Sequence, residues 1–429
     1  MDSEREKELY SKVCAASGIK FVAGEASDKT TRLTENDKFS CSLATLLARD
    51  DEVVVVMLKV STNSCTVYIA KNDKWLEDDF TYIDRVKNYL KKISKIAPIP
   101  FEVVAAENDD ALALLSEAIM YCTVKLKSRI NKLKKDIKCQ NKYVKSFIDY
   151  ASIDTKNMDK IETYDLSITC FEYYNENRKQ FKDLEKDSAT PQFLKKFIGH
   201  IRKVGSYYGS WNRIISCACS AKFKILFSHF EVRLLEPKMT EQSIISWEDV
   251  IKEFITDHKK YEDFKSVCLN SDYKKDSLRF VYGDSIQLES ADIKQTVKLH
   301  AEMNILTNKL INKEDKSRAF IGVSKKCCYL CGLYIRFAIT KGYVINTSGI
   351  HRKLYHLWKF PDTDNAIFND ESLSYMIKNL NQIIRDETEH YTEEKVSPDN
   401  LGGSLGSSSH NANQKVRSRL RSLHKLIRK

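Results

Sequence analysis

The chain has 429 residues, 42% of them hydrophobic, and a formal net charge of +11. This length allows two or three domains whose cores need no disulfide bonds, and the twelve cysteines lack the short repeating spacings of a disulfide-rich secreted domain. The charged start, Met1–Lys7, does not resemble a secretory signal, and the aliphatic run Val53–Leu58 is too short to cross a bilayer. We therefore expect an intracellular protein without a transmembrane segment, in the cytoplasm or the nucleus, with export as an effector left open.

The basic charge is concentrated in two segments. Residues 125–145 carry nine lysines and arginines against the single acid Asp136, and residues 415–429 carry seven with no acid. Such clusters are typical of a surface that contacts nucleic acid or another anionic partner. The alternative is a solvated helix face and a basic tail. Neither segment indicates the oligomeric state.

Residues 1–270 are predicted to be mainly helical, because glycine and proline are scarce, with a β-hairpin near residues 52–70. The arms of this hairpin are the β-branched runs Glu52–Val60 and Cys65–Ala70. From residue 112 to residue 137, apolar side chains recur every three or four positions, which predicts one long helix. The first basic segment then occupies the other faces of that helix.

Two further helices are predicted over residues 190–204 and 243–258. Between them, the segment Ser206–Trp211 is rich in aromatic side chains. Such residues more often fill a core, and the alternative is a platform on which bases stack. The pair Cys217 and Cys219 has the wrong spacing for a zinc knuckle and is predicted to be buried.

From residue 278 onward, short strands alternate with helices, which predicts a sheet covered by helices over residues 271–392. The predicted elements are a hairpin over 278–282 and 286–288, a helix over 296–311, a strand over 319–323, a helix over 328–340, a strand over 343–347 and a helix over 371–388. Residues 393–414 are rich in Gly, Ser and Asn and are predicted to be a flexible linker. Residues 415–429 have the pattern of a basic amphipathic helix.

The triplet His-Ala-Glu at residues 300–302 and the pattern Cys-Tyr-Leu-Cys at residues 328–331 predict a catalytic zinc site. The imidazole of His300 and the thiolates of Cys328 and Cys331 would leave the fourth position of a tetrahedral Zn²⁺ for water. Residues i and i+2 of a helix point about 200° apart, so His300 and Glu302 face one ion only at a helix's first turn. Glu302 is predicted to move protons as a general acid and base, not to bind the metal.

Three further residues near the motif, Cys327, His351 and His356, leave alternatives open. Cys327 directly precedes the first predicted thiolate ligand and could replace it or oxidise. Cys328 and Cys331 are the predicted ligands because only this pair has the two-residue spacing. His351 and His356, further along, could contact a substrate or pack within the domain, and packing is the commoner role.

These motifs resemble the zinc-dependent cytidine-deaminase-like superfamily. Ile321–Lys325 before the cysteines, and Gly349–Trp358 with Phe360-Pro361 after them, are similar to a divergent branch of predicted nucleic-acid or nucleotide deaminases from intracellular bacteria and fungi. The resemblance covers roughly residues 295–362 and extends weakly to the hairpin and to residues 200–215. It implies an α+β protein in which the helical region precedes a three-layer α/β/α deaminase-like zinc domain.

The resemblance also implies a function, namely zinc-dependent hydrolytic deamination of a nucleobase in nucleic acid or in a nucleotide, with Glu302 as the proton shuttle. Two features depart from the superfamily pattern. Cys327 stands where a proline is common, and the upstream hairpin shows no clear asparagine to hold the base or ribose. The alternative function is a catalytically inactive zinc module that acts as a nucleic-acid-binding or protein-interaction scaffold.

Overall fold

A computed structural model describes residues 3–19, 33–50, 52–61, 64–139, 141–153, 163–283, 288–289, 293–351 and 353–395. Residues 396–414 of the linker predicted over 393–414, and the basic tail at 415–429, lie outside the described residues. Within the described ranges, no helix combines the length and the apolar character that a membrane span requires.

The described residues form seven strands and seventeen α-helices. The strands are β1 (Val54–Val60), β2 (Cys65–Lys71), β3 (Phe230–Leu235), β4 (Met239–Ile244), β5 (Ile293–Lys298), β6 (Ala319–Val323) and β7 (Ile345–Thr347). The helices are α1 (Ser3–Gly18), α2 (Glu35–Leu46), α3 (Glu77–Lys95), α4 (Phe101–Glu107), α5 (Asp109–Tyr121), α6 (Thr123–Ile137), α7 (Lys142–Tyr150), α8 (Thr163–Glu176), α9 (Arg178–Lys186), α10 (Gln192–Ala218), α11 (Lys224–Ser228), α12 (Trp247–Lys252), α13 (His258–Asn270), α14 (Asp272–Tyr282), α15 (Ala301–Ile305), α16 (Tyr329–Thr340) and α17 (Ala366–Lys395).

Five of the strands form one mixed sheet in the order β3-β2-β1-β6-β7. β1 and β2 are the two arms of the predicted hairpin, and β1 also pairs with β6 in the antiparallel sense. β3 and β7 join the two edges as parallel strands. The hairpin and the strand predicted at 319–323 are confirmed, and the strand predicted at 343–347 is present as the shorter β7. β4 and β5 form a separate two-stranded sheet.

A helical layer covers each face of the five-stranded sheet. Because successive side chains of a strand point to opposite faces, β1 contributes to two cores. Val54 and Val56 contact a core built mainly from α2 to α11, whereas Val55 and Met57 contact a core built from α1 and α12 to α17. The predicted α+β class, with a mainly helical N-terminal region and helices on both sides of a sheet, is confirmed.

The single helix predicted over residues 112–137 is two helices. α5 ends and α6 begins around Cys122, which adopts a non-helical turn (φ −92°, ψ 9°). The hydroxyl of Thr123 donates to the carbonyl of Ile119 at 2.8 Å, a bond that bends helices. The apolar face is nevertheless the predicted one, because its members in α6 are buried: Leu126, Ile130, Leu133 and Ile137.

The helix predicted over residues 243–258 is wrong in its first part and over residues 253–257, which are not helical. Ser243 and Ile244 end β4, and the helix that follows is the short α12. Ser246 stops the strand and starts the helix, because its hydroxyl accepts the N–H of Asp249 at 3.0 Å. The segment Met-Thr-Glu-Gln-Ser-Ile is polar at most positions, so its sequence carries little strand signal.

The hairpin predicted at residues 278–288 is wrong in its first arm, which is the end of α14. Gly283 terminates this helix with a positive φ of 85°. Leu278 and Tyr282 lie one helical turn apart, are buried and face Gly18 of α1. Residues 284–287, which include most of the second predicted arm, lie outside the described residues.

The helix predicted over residues 296–311 begins later than expected, at Ala301. Residues 293–298 instead form β5, which pairs with β4. α15 continues as a π-helical turn, Leu306–Leu310, and then as a short 3₁₀ helix. The helices predicted at 328–340 and 371–388 are present as α16 and the longer α17.

The aromatic segment Ser206–Trp211 lies inside α10, which is longer than predicted. Tyr207 and Trp211 are buried, and the indole of Trp211 donates to the carbonyl of Ala111 at 2.9 Å. The segment therefore fills a core and is not a platform for bases. Cys217 and Cys219, in the same part of the chain, are buried as predicted.

The contact between α8 and α10 provides a test of this packing. A Cβ atom at Gly205 would lie 2.6 Å from the backbone nitrogen of Phe171, whereas Gly199, on the same helix, has no such neighbour within 4 Å. We predict that Gly205→Ala lowers the free energy of unfolding by about 1–3 kcal/mol, because backbone atoms of α8 must move. Gly199→Ala should raise it by up to about 1 kcal/mol through helix propensity. Denaturant unfolding measures both, and equal effects would contradict the close approach.

Candidate metal centre

His300 lies where the chain leaves β5 and enters α15. It is the N-cap of this helix in an extended conformation (φ −62°, ψ 144°), and its carbonyl accepts the N–H of Asn304 at 3.0 Å. The N–H of Ala301 donates to Oδ1 of Asn72 at 2.8 Å, which satisfies one of the free donors at the helix start. With residue 300 extended and residue 302 helical, His300 and Glu302 meet the geometric requirement of their spacing.

Cys328 occupies the equivalent position at the start of α16. It is the N-cap in an extended conformation (φ −72°, ψ 169°), and its sulfur accepts the N–H of Cys331 at 3.3 Å. The carbonyl of Cys328 accepts the N–H of Gly332 at 2.9 Å. Both sulfurs therefore lie in the first turn of α16, where backbone N–H groups and the helix dipole favour thiolate.

The structure brings the three predicted ligands together. Nδ1 of His300 lies 3.4 Å from Sγ of Cys328 and 3.3 Å from Sγ of Cys331. Tetrahedral Zn²⁺ has bonds of about 2.3 Å to sulfur and about 2.0–2.1 Å to nitrogen, which separates those atoms by about 3.5 Å. The donor set and its spacing thus fit zinc, with one position left for another ligand.

The negative charge of the cluster lies mainly on Cys328, because burial, with the hydrogen bond and the charge of Cys328, raises the pKa of Cys331 well above its ordinary value. Burial lowers the pKa of His300, but the negative charge of Cys328 and its hydrogen bond outweigh this effect and raise that pKa to about 9. Burial raises the pKa of Cys328, but the hydrogen bonds with Cys331 and His300 hold it well below its ordinary value. Cys328 is therefore a thiolate stabilised by neighbouring positive charge, which is the form that binds metal.

Trp358 supports the second thiolate ligand. Its indole is fully buried, and Nε1 donates a hydrogen bond to Sγ of Cys331 at 3.3 Å. Partners of this kind fix the orientation of a metal ligand and adjust its affinity. The sequence motif contains Trp358 without a predicted role, although a buried indole N–H normally requires an acceptor.

Glu302 is buried beside the three donor atoms. Burial raises the pKa of its carboxyl group. The carboxylate contacts its own backbone N–H and the thiol of Cys327, whereas Oε2 has no hydrogen-bond partner among the described residues. Buried carboxylate oxygens are usually satisfied, so Oε2 is available to a water molecule or a substrate.

Cys327 faces Glu302 and is not one of the clustered donors. The group of side chains able to hold one ion in the described part of the chain consists of His300, Cys328 and Cys331. The thiol of Cys327 contacts the Glu302 carboxylate and the Thr347 hydroxyl, and burial, with the nearby charge of Glu302, raises its pKa. This placement favours the ligand choice that the two-residue spacing predicts.

An asparagine just after the hairpin lies beside the site as a helix cap, a role that the sequence does not reveal. Asn72 follows β2 directly, and its side chain caps α15 one residue after His300. Oδ1 of the neighbouring Asp73 lies 2.6 Å from Nζ of Lys298. This ion pair holds the end of the hairpin close to the end of β5. An asparagine beside a strand end resembles many others, so the sequence alone does not single it out.

A loop of the chain closes one side of the centre. We call residues 349–351 and 353–359 the site loop. The N–H of His351 donates to the carbonyl of Cys327 at 2.8 Å, and Nδ1 of His351 accepts the N–H of Lys353 at 3.1 Å. His356 is buried, and its burial lowers its pKa to about 4, so this side chain packs in its neutral form.

Comparison with known families supports the same segment. Residues 299–362 match the model of a family described as OTT_1508-like deaminase. The predicted resemblance to a divergent deaminase family is thereby confirmed, and the match is consistent with the zinc-dependent cytidine-deaminase-like superfamily. The matched residues include all three candidate ligands, Glu302 and Trp358. No curated protein and no solved structure is significantly similar to the chain.

The ligand set leads to a direct prediction. His300→Ala, Cys328→Ala and Cys331→Ala should each abolish the binding of about one zinc ion per chain, because three protein ligands hold a catalytic zinc. Loss of a residue that only supports a ligand lowers metal affinity by about 10- to 100-fold. Each of these three variants should lower zinc affinity by more than that. Elemental analysis and competition with a chromogenic chelator measure this.

Cys327→Ala is the matched control for these variants, because it removes an adjacent buried thiol. It should lower zinc affinity by at most about 10- to 100-fold, since Cys327 at most supports a ligand. Loss of zinc in Cys327→Ala together with its retention in Cys328→Ala would make Cys327 the ligand instead.

Proposed function

We propose that this chain removes an amino group from a nucleobase by hydrolysis, in nucleic acid or in a nucleotide, with zinc as cofactor. The observation that carries this proposal is Oε2 of Glu302, a buried carboxylate oxygen without a partner among the described residues, beside donor atoms that suit zinc. Such an oxygen is ready to accept a proton from a molecule that enters the site. The deaminase match at residues 299–362 supports the same chemistry.

In this reaction the metal ligands and Glu302 have different roles. Zinc held by His300, Cys328 and Cys331 would supply a polarised water as the nucleophile. Glu302 accepts a proton at Oε2, delivers it to the ring nitrogen of the base and then assists departure of the amine. The oxygen of water replaces the amino group on the ring carbon, and the nitrogen leaves as ammonia.

An intracellular location belongs to this proposal. All twelve cysteines are free, most of them buried. Free thiols in this number suit a reducing compartment, whereas a secreted protein would tend to pair them. Two of the twelve are also candidate zinc ligands that must be thiolates to bind, so the same compartment would protect the metal centre.

Glu302→Gln tests the catalytic role. This variant keeps the shape of the side chain but cannot accept the proton, so zinc content should be unchanged and deamination should fall by at least about 100-fold. Ammonia release, and sequencing of RNA and DNA for C-to-U or A-to-I changes, measure the effect. Undiminished turnover in Glu302→Gln would refute the role of Glu302. A zinc-loaded wild type without activity on any of these substrates would favour the inactive zinc module.

We also propose that the surface around α6 contacts nucleic acid. Two cations of this segment serve the fold, because Lys125 is buried against the carbonyls of Ala48 and Glu52, and Arg129 donates to the carbonyl of Lys203 at 3.0 Å. The contact therefore depends on the lysines that the fold leaves exposed, which are Lys127, Lys132, Lys135, Lys138, Lys142 and Lys145.

Salt dependence tests this surface. The triple variant with Lys132, Lys135 and Lys138 changed to Gln should reduce the slope of log affinity against log salt by about 2 for a single strand, because each phosphate contact contributes about 0.7. The matched control changes three exposed lysines of α9 to Gln, namely Lys179, Lys182 and Lys186. Equal slopes for the two triple variants in a titration of labelled RNA would contradict the proposal.

A further inference from the structure

The site loop presents a large exposed side chain at the open side of the metal centre. Among the candidate ligands, His300 is partly exposed, whereas Cys328 and Cys331 are buried. The ring of Tyr355 lies edge-on to His300 with the centroids 6.0 Å apart, and Tyr355 is 44% exposed. Tyr355 therefore borders the side from which a substrate can approach the centre.

Phe280 extends this surface from α14. It is 76% exposed, and its ring makes an edge contact at 5.0 Å with His356 of the site loop. Leu357, the next residue of the loop, is 38% exposed. Apolar side chains exposed together beside a candidate site are typical of an interaction surface. We call Phe280, Tyr355 and Leu357 the aromatic platform.

Backbone hydrogen bonds hold the platform in position at both ends of the site loop. The N–H of Tyr329 donates to the carbonyl of Lys353 at 3.1 Å, and the N–H of Lys298 donates to the carbonyl of Leu357 at 2.8 Å. Tyr329 follows a candidate ligand directly, and Lys298 lies two residues before His300. The loop part of the platform, Tyr355 and Leu357, is thus preformed and fixed relative to the metal centre, which lowers the entropic cost of binding.

The charge around the platform favours an anionic partner. Residues 349–359 contain three lysines and arginines and no acidic residue, and Lys325 and Lys326 precede the cysteines. Lys353, within the loop, is exposed. Aromatic rings flanked by cations are the combination by which proteins bind single-stranded nucleic acid, since rings stack on bases and cations neutralise phosphates.

We propose that the aromatic platform stacks on a base next to the target base, so that the substrate is a single-stranded nucleic acid. This inference rests on the proposed deaminase function, which places the target base at the metal centre. A free nucleotide has no second base to cover Phe280, and a duplex keeps its bases stacked on one another. A single strand offers both a target base and a neighbour for the platform.

Binding measurements on the full chain carrying Glu302→Gln test this inference without turnover. Fluorescence anisotropy with labelled single-stranded RNA and DNA of mixed sequence, at one fixed salt concentration, gives the affinities. Phe280→Ala and Tyr355→Ala should each weaken binding by about 5- to 150-fold, the equivalent of the ~1–3 kcal/mol of one stacked base. Tyr355→Phe, which keeps the ring, should retain most of the affinity.

Ile367→Ala is the matched control, because Ile367 is 73% exposed on α17 and lies outside the platform. Its affinity should equal that of the parent protein, and melting temperature and zinc content verify that all variants are folded. The inference is overturned if Phe280→Ala binds the single strand as tightly as Ile367→Ala, or if a duplex binds as tightly as the single strand. If Phe280→Ala changes the oligomeric mass of the protein in solution but leaves its nucleic-acid affinity unchanged, the platform is a contact between protein chains. That result would also overturn the inference.

The two proposals can fail separately. Deamination of free nucleotides combined with binding that does not depend on Phe280 would refute the platform alone. Binding that depends on Phe280, in a protein whose wild type deaminates no nucleobase, would refute the proposed reaction alone.

Discussion

The antiparallel pairing of β1 with β6 is the constraint on which the candidate site depends. Val55 lies opposite Val323, so the end of β6 is next to the start of β1. The hairpin places the start of β1 next to the end of β2 as well, with Val54 opposite Lys71. The carboxyl ends of β2 and β6 therefore lie at the same end of the sheet. Asn72, which caps the histidine-bearing helix, and the segment that carries the two cysteines meet there because of strand register.

A buried ion cluster connects this end of the sheet to the N-terminal helices. Nζ of Lys71, 1% exposed, lies 2.5 Å from Oδ2 of Asp79 and 3.0 Å from Oε1 of Glu52, and the hydroxyl of Tyr121 donates to Asp79 at 2.8 Å. Breaking a buried pair costs about 3–5 kcal/mol, whereas the intact pair adds little net stability, so such clusters specify geometry more than they stabilise. Because Asn72 follows Lys71, the cluster also fixes the residue that caps α15. Helices α3 and α5 thus influence the metal centre without contributing a ligand.

The parts of the fold and the site that could be predicted are those with local signals. The hairpin, β6, α16 and the His-x-Glu and Cys-x-x-Cys spacings each lie within a few residues of the chain, so a pattern reveals them. The contact of Asn72 with Ala301 joins residues 229 positions apart, and no periodicity marks it. The predictions were wrong at the polar strand β4 and at the alternating residues 278–282, because contacts with distant residues override the local pattern there. Their local patterns favour one structure, and pairing with β5 or packing on α1 imposes another.

Cys327, which stands where the superfamily that the chain resembles commonly has proline, has a consequence for the backbone that its thiol does not suggest. The N–H of Cys327 donates to the carbonyl of Gly349 at 3.0 Å, and its carbonyl accepts the N–H of His351 at 2.8 Å. Proline has no N–H and could not make the first of these bonds. The residue thereby attaches the site loop as a short parallel bridge beside the metal ligands. That attachment sets the start of the loop whose Tyr355 stands at the open side of the centre, so Cys327 affects both the surroundings of Glu302 and the approach to them.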